Sequence, residues 1–182
     1  MTGGGTEILD GELAVTPAPG RRHQRIVGEL FSVLHAHVKA GRLGEVFVSP
    51  FDVILDDTSI VQPDIVYVAR ERLGVVAERG VEGPPSLAVE VISPSTRQRD
   101  RNEKFQLYAR HGVPCVWVID PDARSVGGVR LLRSGAYVPQ TQAVGHESPE
   151  PSPVPDLAIS IATLWTLAPQ GQAPVTPWAG AR

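Results

Sequence analysis

Six residues constrain this chain more than any others: Leu87 to Ile92, LAVEVI. A near-continuous apolar run of this length, rich in β-branched residues, reads as a strand buried on both faces. Glu90 interrupts it. An ionised carboxylate in such a strand is costly to bury unless a cation or several hydrogen-bond donors compensate. The strand therefore demands a partner from elsewhere in the chain.

At 182 residues the chain suggests one domain, with a core large enough to be stable. Its composition, 42% hydrophobic and 20% charged, is that of an ordinary globular protein and lies far from the disordered regime. A formal net charge of -3 excludes a protein held on nucleic acid by bulk positive charge, so any such contact must come from a local patch. The one cysteine, Cys115, cannot form an internal disulfide or a multi-thiolate metal site and sits in apolar surroundings, as for a buried thiol. The first twenty residues carry Glu7, Asp10 and Glu12 and no long apolar run, and Leu157 to Ala168 is too short to span a membrane. We read a cytoplasmic protein.

Ile8 to Val15, around Asp10-Gly11, predicts a short hairpin or extended segment. From Arg22 to about Lys39 the residues Ile26, Val27, Leu30, Phe31, Val33, Leu34 and Val38 recur at helical spacing, as in an amphipathic helix laid on a sheet. Glu45 to Ser49, Phe51 to Leu55 and Ile60 to Val68 read as three strands, and residues 69 to 85 as a loop with one helical turn around Arg70 to Leu73. Asp100 to Arg110 is predicted helical, Pro114 to Asp120 a further buried strand, and Val129 to Leu132 with Ala136 to Val138 a hairpin. Residues 148 to 155, with four prolines in eight positions, form an extended connector before Leu157 to Leu167 returns apolar material to the body. The expected fold class is α/β: a mixed sheet of five or six strands flanked by two helices.

The sequence lacks a G-x-x-x-x-G-K-[ST] loop, G-x-G-x-x-G, H-E-x-x-H and G-x-S-x-G, which removes most nucleotide-binding and serine-hydrolase readings. His35 and His37 point about 200° apart on their helix and cannot share a metal. Polar residues in apolar patterns are more informative. Asp64, in QPDIV, is the second such case after Glu90; if their strands are neighbours, both carboxylates converge on one ion, and hard oxygen donors suit Mg²⁺ or Mn²⁺. Lys104 is one of two lysines among fifteen arginines, a hint that an ammonium is wanted there.

Asp64 in QPDIVYV, Glu90 in LAVEVISPST and the following RDRNEKFQLYARHGVPCVWVIDP resemble the Uma-two family, a branch of the PD-(D/E)XK nuclease-like proteins associated with restriction endonucleases. DGELAVTPAP, RHQRIVGEL and VPDLAISIATLW extend the resemblance over residues 8–167, taken as a single restriction-endonuclease-like domain, with 168–182 a flexible tail. The superfamily's usual lysine lies two positions after the glutamate, where this chain has Ile92; the resemblance implies a lysine displaced onto the next helix, and Lys104 is the matching residue. It further implies a Mg²⁺-dependent (or Mn²⁺-dependent) endonuclease acting on DNA: Asp64, Glu90 and the carbonyl of Val91 hold the metal, and Lys104 orients water or stabilises developing charge. By the same analogy it implies self-association as a homodimer.

Each residue also has a plainer reading. Asp64 could cap a turn or pair with an arginine, Glu90 could be a structural carboxylate, and Lys104 could pair with Asp100 on a solvated face. Asp100 followed by Glu103 resembles a helix-capping box, and Arg97, Arg99 and Arg101 fit either a phosphate backbone or a solvated helix start. His23 lies on the core stripe of its helix and reads first as a packed histidine, whereas Glu29 lies off it and is expected to be exposed. Two competing functions follow: a non-catalytic nucleic-acid or protein-binding module on the same scaffold, and a hydrolase of another phosphate substrate.

Overall fold

The computed structural model describes residues 5–92, 103–144 and 153–166. The first strands, β1 (Thr6–Leu9) and β2 (Glu12–Val15), form an antiparallel hairpin. Asp10 and Gly11 both take positive φ (51° and 84°), as the tight turn matched to strand twist requires. Helix α1 (Arg21–Gly41) buries Ile26, Val27, Leu30, Leu34 and Val38, an i+4 stripe with one neighbour, and leaves Val33 on the solvent side. Arg42, in the left-handed conformation, ends it by donating its N–H to the Lys39 and Val38 carbonyls.

Two mixed six-stranded sheets follow from the remaining segments. The remaining strands are β3 (Gly44–Val48), β4 (Val53–Asp56), β5 (Ser59–Val61), β6 (Ile65–Ala69), β7 (Val76–Ala77), β8 (Gly80–Glu82), β9 (Leu87–Val91), β10 (Cys115–Asp120), β11 (Ser125–Leu131) and β12 (Tyr137–Val144). The first sheet runs β2-β1-β5-β4-β8-β7 and the second β12-β11-β10-β9-β6-β3. Strand β9 lies inside the second sheet, parallel to β10 and antiparallel to β6, with every residue buried as its apolar run implies.

Alternation along β9 sends its side chains into two cores. Leu87, Val89 and Val91 face α1 and the returning segment with Leu157, Ile159, Ile161 and Leu164, which leads into a short helix α3 (Ala162–Trp165). On the opposite face Ala88, Val66 and Val116 meet Val53, Val61 and Val81 of the first sheet, together with Leu107 and Tyr108 of helix α2 (Phe105–Arg110). The second sheet is thus sandwiched between α1 and the first sheet. Glu90 shares the register of Ala88 and turns toward the first sheet.

Three expectations are corrected. The expected mixed sheet is present, with six strands, but a second six-stranded sheet packs against it. Ile60 to Val68 is not a single strand: it breaks at Gln62-Pro63-Asp64, so that β5 pairs in the first sheet and β6 in the second. Pro63 has no N–H to give a ladder, which suits a chain changing sheets there. Residues 69 to 85 hold the expected helical turn, a 3-10 helix over Arg70–Val75, but also β7 and β8. Asp100, Arg97, Arg99 and Arg101, most of the proline-rich connector and residues 168–182 lie outside the described residues. Among the described residues no helix is long and apolar enough to cross a membrane.

Gly44 has φ 144°, and a Cβ there would stand 2.1 Å from the Val68 carbonyl oxygen, whereas one on the exposed helical Gly28 would meet nothing within 4 Å. Urea unfolding should show Gly44→Ala destabilised by at least about 2 kcal/mol. Gly28→Ala should gain about 0.5–1 kcal/mol through helix propensity.

Candidate active site

Asp64, Glu90 and Lys104 come together at one end of the second sheet. Strands β6 and β9 pair with Ile65 opposite Val89 and Val66 opposite Ala88; continued by one residue, that register sets Asp64 opposite Glu90. Asp64 Oδ2 accepts the Val91 N–H at 2.8 Å and lies 3.3 Å from His23 Nε2, on the first turn of α1. The Asp64 carboxylate therefore supplies the acceptor that main chain would supply one rung further along the ladder.

Lys104 is not on a solvated face. It sits in the turn just before α2, and its Nζ lies 3.2 Å from each carboxylate oxygen of Glu90 and 2.9 Å from Oε1 of Glu7. Glu7, Glu90 and Lys104 retain only 4%, 7% and 5% of their accessible surface. Tyr108, four residues beyond Lys104 and so on the same helical face, donates its hydroxyl to Glu90 Oε1 at 2.5 Å. Glu90 thus finds the cation and donor that its place in an apolar strand requires.

Burial pushes the Glu90 carboxyl up to about 8; the Lys104 ammonium opposes this, the Asp64 and Glu7 carboxylates add to it, and the Tyr108 hydrogen bond also opposes it. Tyr108 is raised well above the usual phenol range by burial and then by Glu90, so its hydroxyl remains a donor at any ordinary pH. Cys115 is a buried thiol pushed up to about 12, as its apolar surroundings imply.

Three contributors escape the sequence reading. Glu7 comes from β1 of the other sheet, and only its place in a strand beside apolar residues hints at burial. Tyr108 was readable from its i+4 spacing to Lys104. His23, read first as a packed histidine, faces Asp64. Glu29 is exposed, as expected.

Among the described residues, no group of three His, Cys, Asp or Glu side chains converges closely enough to hold an ion unaided. Mg²⁺, however, is commonly held by one or two carboxylates, with waters and substrate phosphate oxygens completing its shell. Asp64 and Glu90, opposed at adjacent strand ends beside a third carboxylate, are a donor set of that kind.

The Glu90 shift sets the pH dependence of stability in metal-free protein. A carboxyl raised from 4.5 to about 8 on folding keeps its proton in the folded chain after the unfolded chain has lost it. Its stabilising contribution is complete below the ordinary glutamate value and declines as pH rises toward 8. With a chelator present, the melting temperature of the wild type minus that of Glu90→Gln should fall between pH 5 and pH 8; a constant difference would contradict this account.

Comparison with known proteins gives three likenesses. A family model, Uma2, described as "Putative restriction endonuclease", matches residues 2–172. The uncharacterized protein sll1609 of Synechocystis sp. is 29% identical over 104 residues, 57% of this chain and 58% of that protein, so the match spans a little over half of that relative. A crystal structure from Anabaena variabilis, described as "a putative nuclease belonging to DUF820", superposes with a TM-score of 0.70 at 24% identity, covering 88% of this chain and 89% of that one. At that identity the likeness establishes the fold alone, a mixed α/β architecture. With the family match running over nearly its whole length, this chain belongs to the Uma2 family.

Proposed function

We propose that the protein is a Mg²⁺- or Mn²⁺-dependent endonuclease that hydrolyses phosphodiester bonds of DNA. The observation that carries this reading is the burial of Lys104 Nζ against Glu90, at 3.2 Å from both of its oxygens, at the strand end where Asp64 is also presented. Membership of a family described as "Putative restriction endonuclease" supports the nucleic-acid substrate.

Asp64, Glu90 and the Val91 carbonyl would hold the ion, which when bound supplies Lewis acidity and neutralises phosphate charge. The chain's own residues do the rest. Tyr108 fixes the rotamer of Glu90 through its hydroxyl, and the Val91 amide fixes that of Asp64, so neither carboxylate has to be ordered when substrate arrives. Lys104 offers ammonium hydrogens to the phosphoryl oxygens, where negative charge grows in the transition state, and the walls of the two sheets exclude the water that would screen it.

A second reading, a nucleic-acid or protein-binding module without catalysis, draws on the lack of a ready three-residue ion cage among the described residues. Metal binding separates the two. Mn²⁺ at 100 times its dissociation constant should stabilise the endonuclease by about 2.7 kcal/mol, and a binding module not at all. Purified protein with Mg²⁺ or Mn²⁺ should nick supercoiled DNA. Glu90→Gln and Lys104→Met should each slow cleavage by roughly 10²–10³-fold with an unchanged circular dichroism spectrum. Undiminished cleavage by both variants would reject the assignment.

A further inference from the structure

Glu7 has no role in the proposed chemistry, yet it is the more buried of the two carboxyl groups that face Lys104. Its Oε1 accepts the Gln62 N–H at 2.7 Å and faces Lys104 Nζ at 2.9 Å, closer than either oxygen of Glu90. Gln62 belongs to the Gln62-Pro63-Asp64 break, and its side-chain amide donates to Asp52 Oδ1 at 2.7 Å. Glu7 therefore links the first sheet, the segment that presents Asp64, and the amine that meets Glu90.

A lysine carries four rotatable bonds, and holding its end in one place is costly in entropy unless several partners share it. Glu90 alone is an unreliable anchor, because its carboxylate is the one a divalent cation would claim and a cation there repels the ammonium. Glu7 stands on the other sheet, on the far side of the amine. We propose that Glu7 is a positioning residue that holds the Lys104 ammonium in the site, above all when Glu90 is engaged by metal. The proposal rests on the endonuclease reading for its kinetic consequence, but the anchoring itself needs neither metal nor substrate.

The chain's two lysines make this measurable, since Lys39 is exposed and serves as the internal standard for Lys104. Reductive methylation followed by peptide mass spectrometry should find Lys104 protected relative to Lys39 in the wild type, both in chelator and in saturating Mg²⁺; protection lost on adding Mg²⁺ would overturn the proposal without any variant. In Glu7→Gln, which keeps an acceptor for the Gln62 amide but removes the charge, Lys104 protection should fall on adding Mg²⁺ while the circular dichroism spectrum stays that of the wild type, even though losing one partner of a buried pair lowers the melting temperature. Unchanged protection in Glu7→Gln would also overturn it.

Kinetics give the second arm. Glu7→Gln should lower kcat by roughly 10–100-fold with little change in KM for DNA or in Mn²⁺ affinity. The Glu7→Gln/Lys104→Met double variant should be no slower than Lys104→Met alone, because Glu7 acts through Lys104. A double variant slowed by the product of the two effects, or a loss of Mn²⁺ affinity in Glu7→Gln, would make Glu7 an independent ligand. If the wild type neither cleaves DNA nor binds Mn²⁺, the endonuclease reading fails, while labelling in chelator still decides the anchoring: there Glu7→Gln should leave Lys104 less protected than in the wild type, and equal protection would overturn it.

Discussion

A lysine ammonium buried between two carboxylates from different sheets is the interaction on which this architecture turns. Lys104 reaches Glu90 on the second sheet and Glu7 on the first, so the two sheets share a charge as well as an apolar interior. Such a cluster is a poor stabiliser. Stripping water from each group that stays charged costs several kcal/mol, which is why the Glu90 carboxyl is raised, and mutual attraction repays this only with close geometry and further hydrogen bonds, here from Tyr108 and the Gln62 amide. Apolar side chains of similar volume would hold the sheets together at least as well. The same burial that makes the charges costly strengthens any interaction they make with another charged group.

The parts of this arrangement that can be read from sequence are those in which a local pattern is violated or sustained. The α1 stripe is sustained over four turns, and Glu90 violates an apolar run; both stood out without any knowledge of neighbours. Lys104 was readable only by its scarcity and the family resemblance, since nothing local says that its stem runs back toward a strand end. Glu7 gave no sign of its partners, and only its place in a strand beside apolar residues hinted at burial. In a four-residue strand the buried face depends on which sheet packs against it, and both sheets are assembled from distant segments, the first from β1 to β8 and the second from β3 to β12. Non-local pairing of this kind leaves no periodicity to detect. The same cause hid the division of Ile60 to Val68, where apolar residues on both sides of Pro63 read as one strand although they serve different sheets.

That division is what builds the site. Between β5 and β6 the chain leaves the first sheet and enters the second within Gln62-Pro63-Asp64, and both polar members of the crossing are bound to charged groups or to strands of the site. Gln62 holds Glu7 through its main-chain N–H, and Asp64 takes the Val91 N–H through its side chain. A structure with one continuous sheet would have no such crossing, and its β6 would start with a main-chain rung where Asp64 now offers a carboxylate.

Asp64 consequently has a structural duty inseparable from any catalytic one. Strand register is an all-or-none matter: a slip of one residue between β6 and β9 would turn Asp64 and Glu90 to opposite faces of the sheet and exchange the two cores. The Asp64 carboxylate closes the last rung of that ladder, so the group that defines the site also fixes the register that creates it. Loss of the side chain would remove an acceptor from a buried amide as well as a negative charge, whereas asparagine would keep the acceptor and lose only the charge. The charge is what would most favour a cation there. The acceptor belongs to the fold, and the two roles occupy one side chain because the strand ends where the site begins.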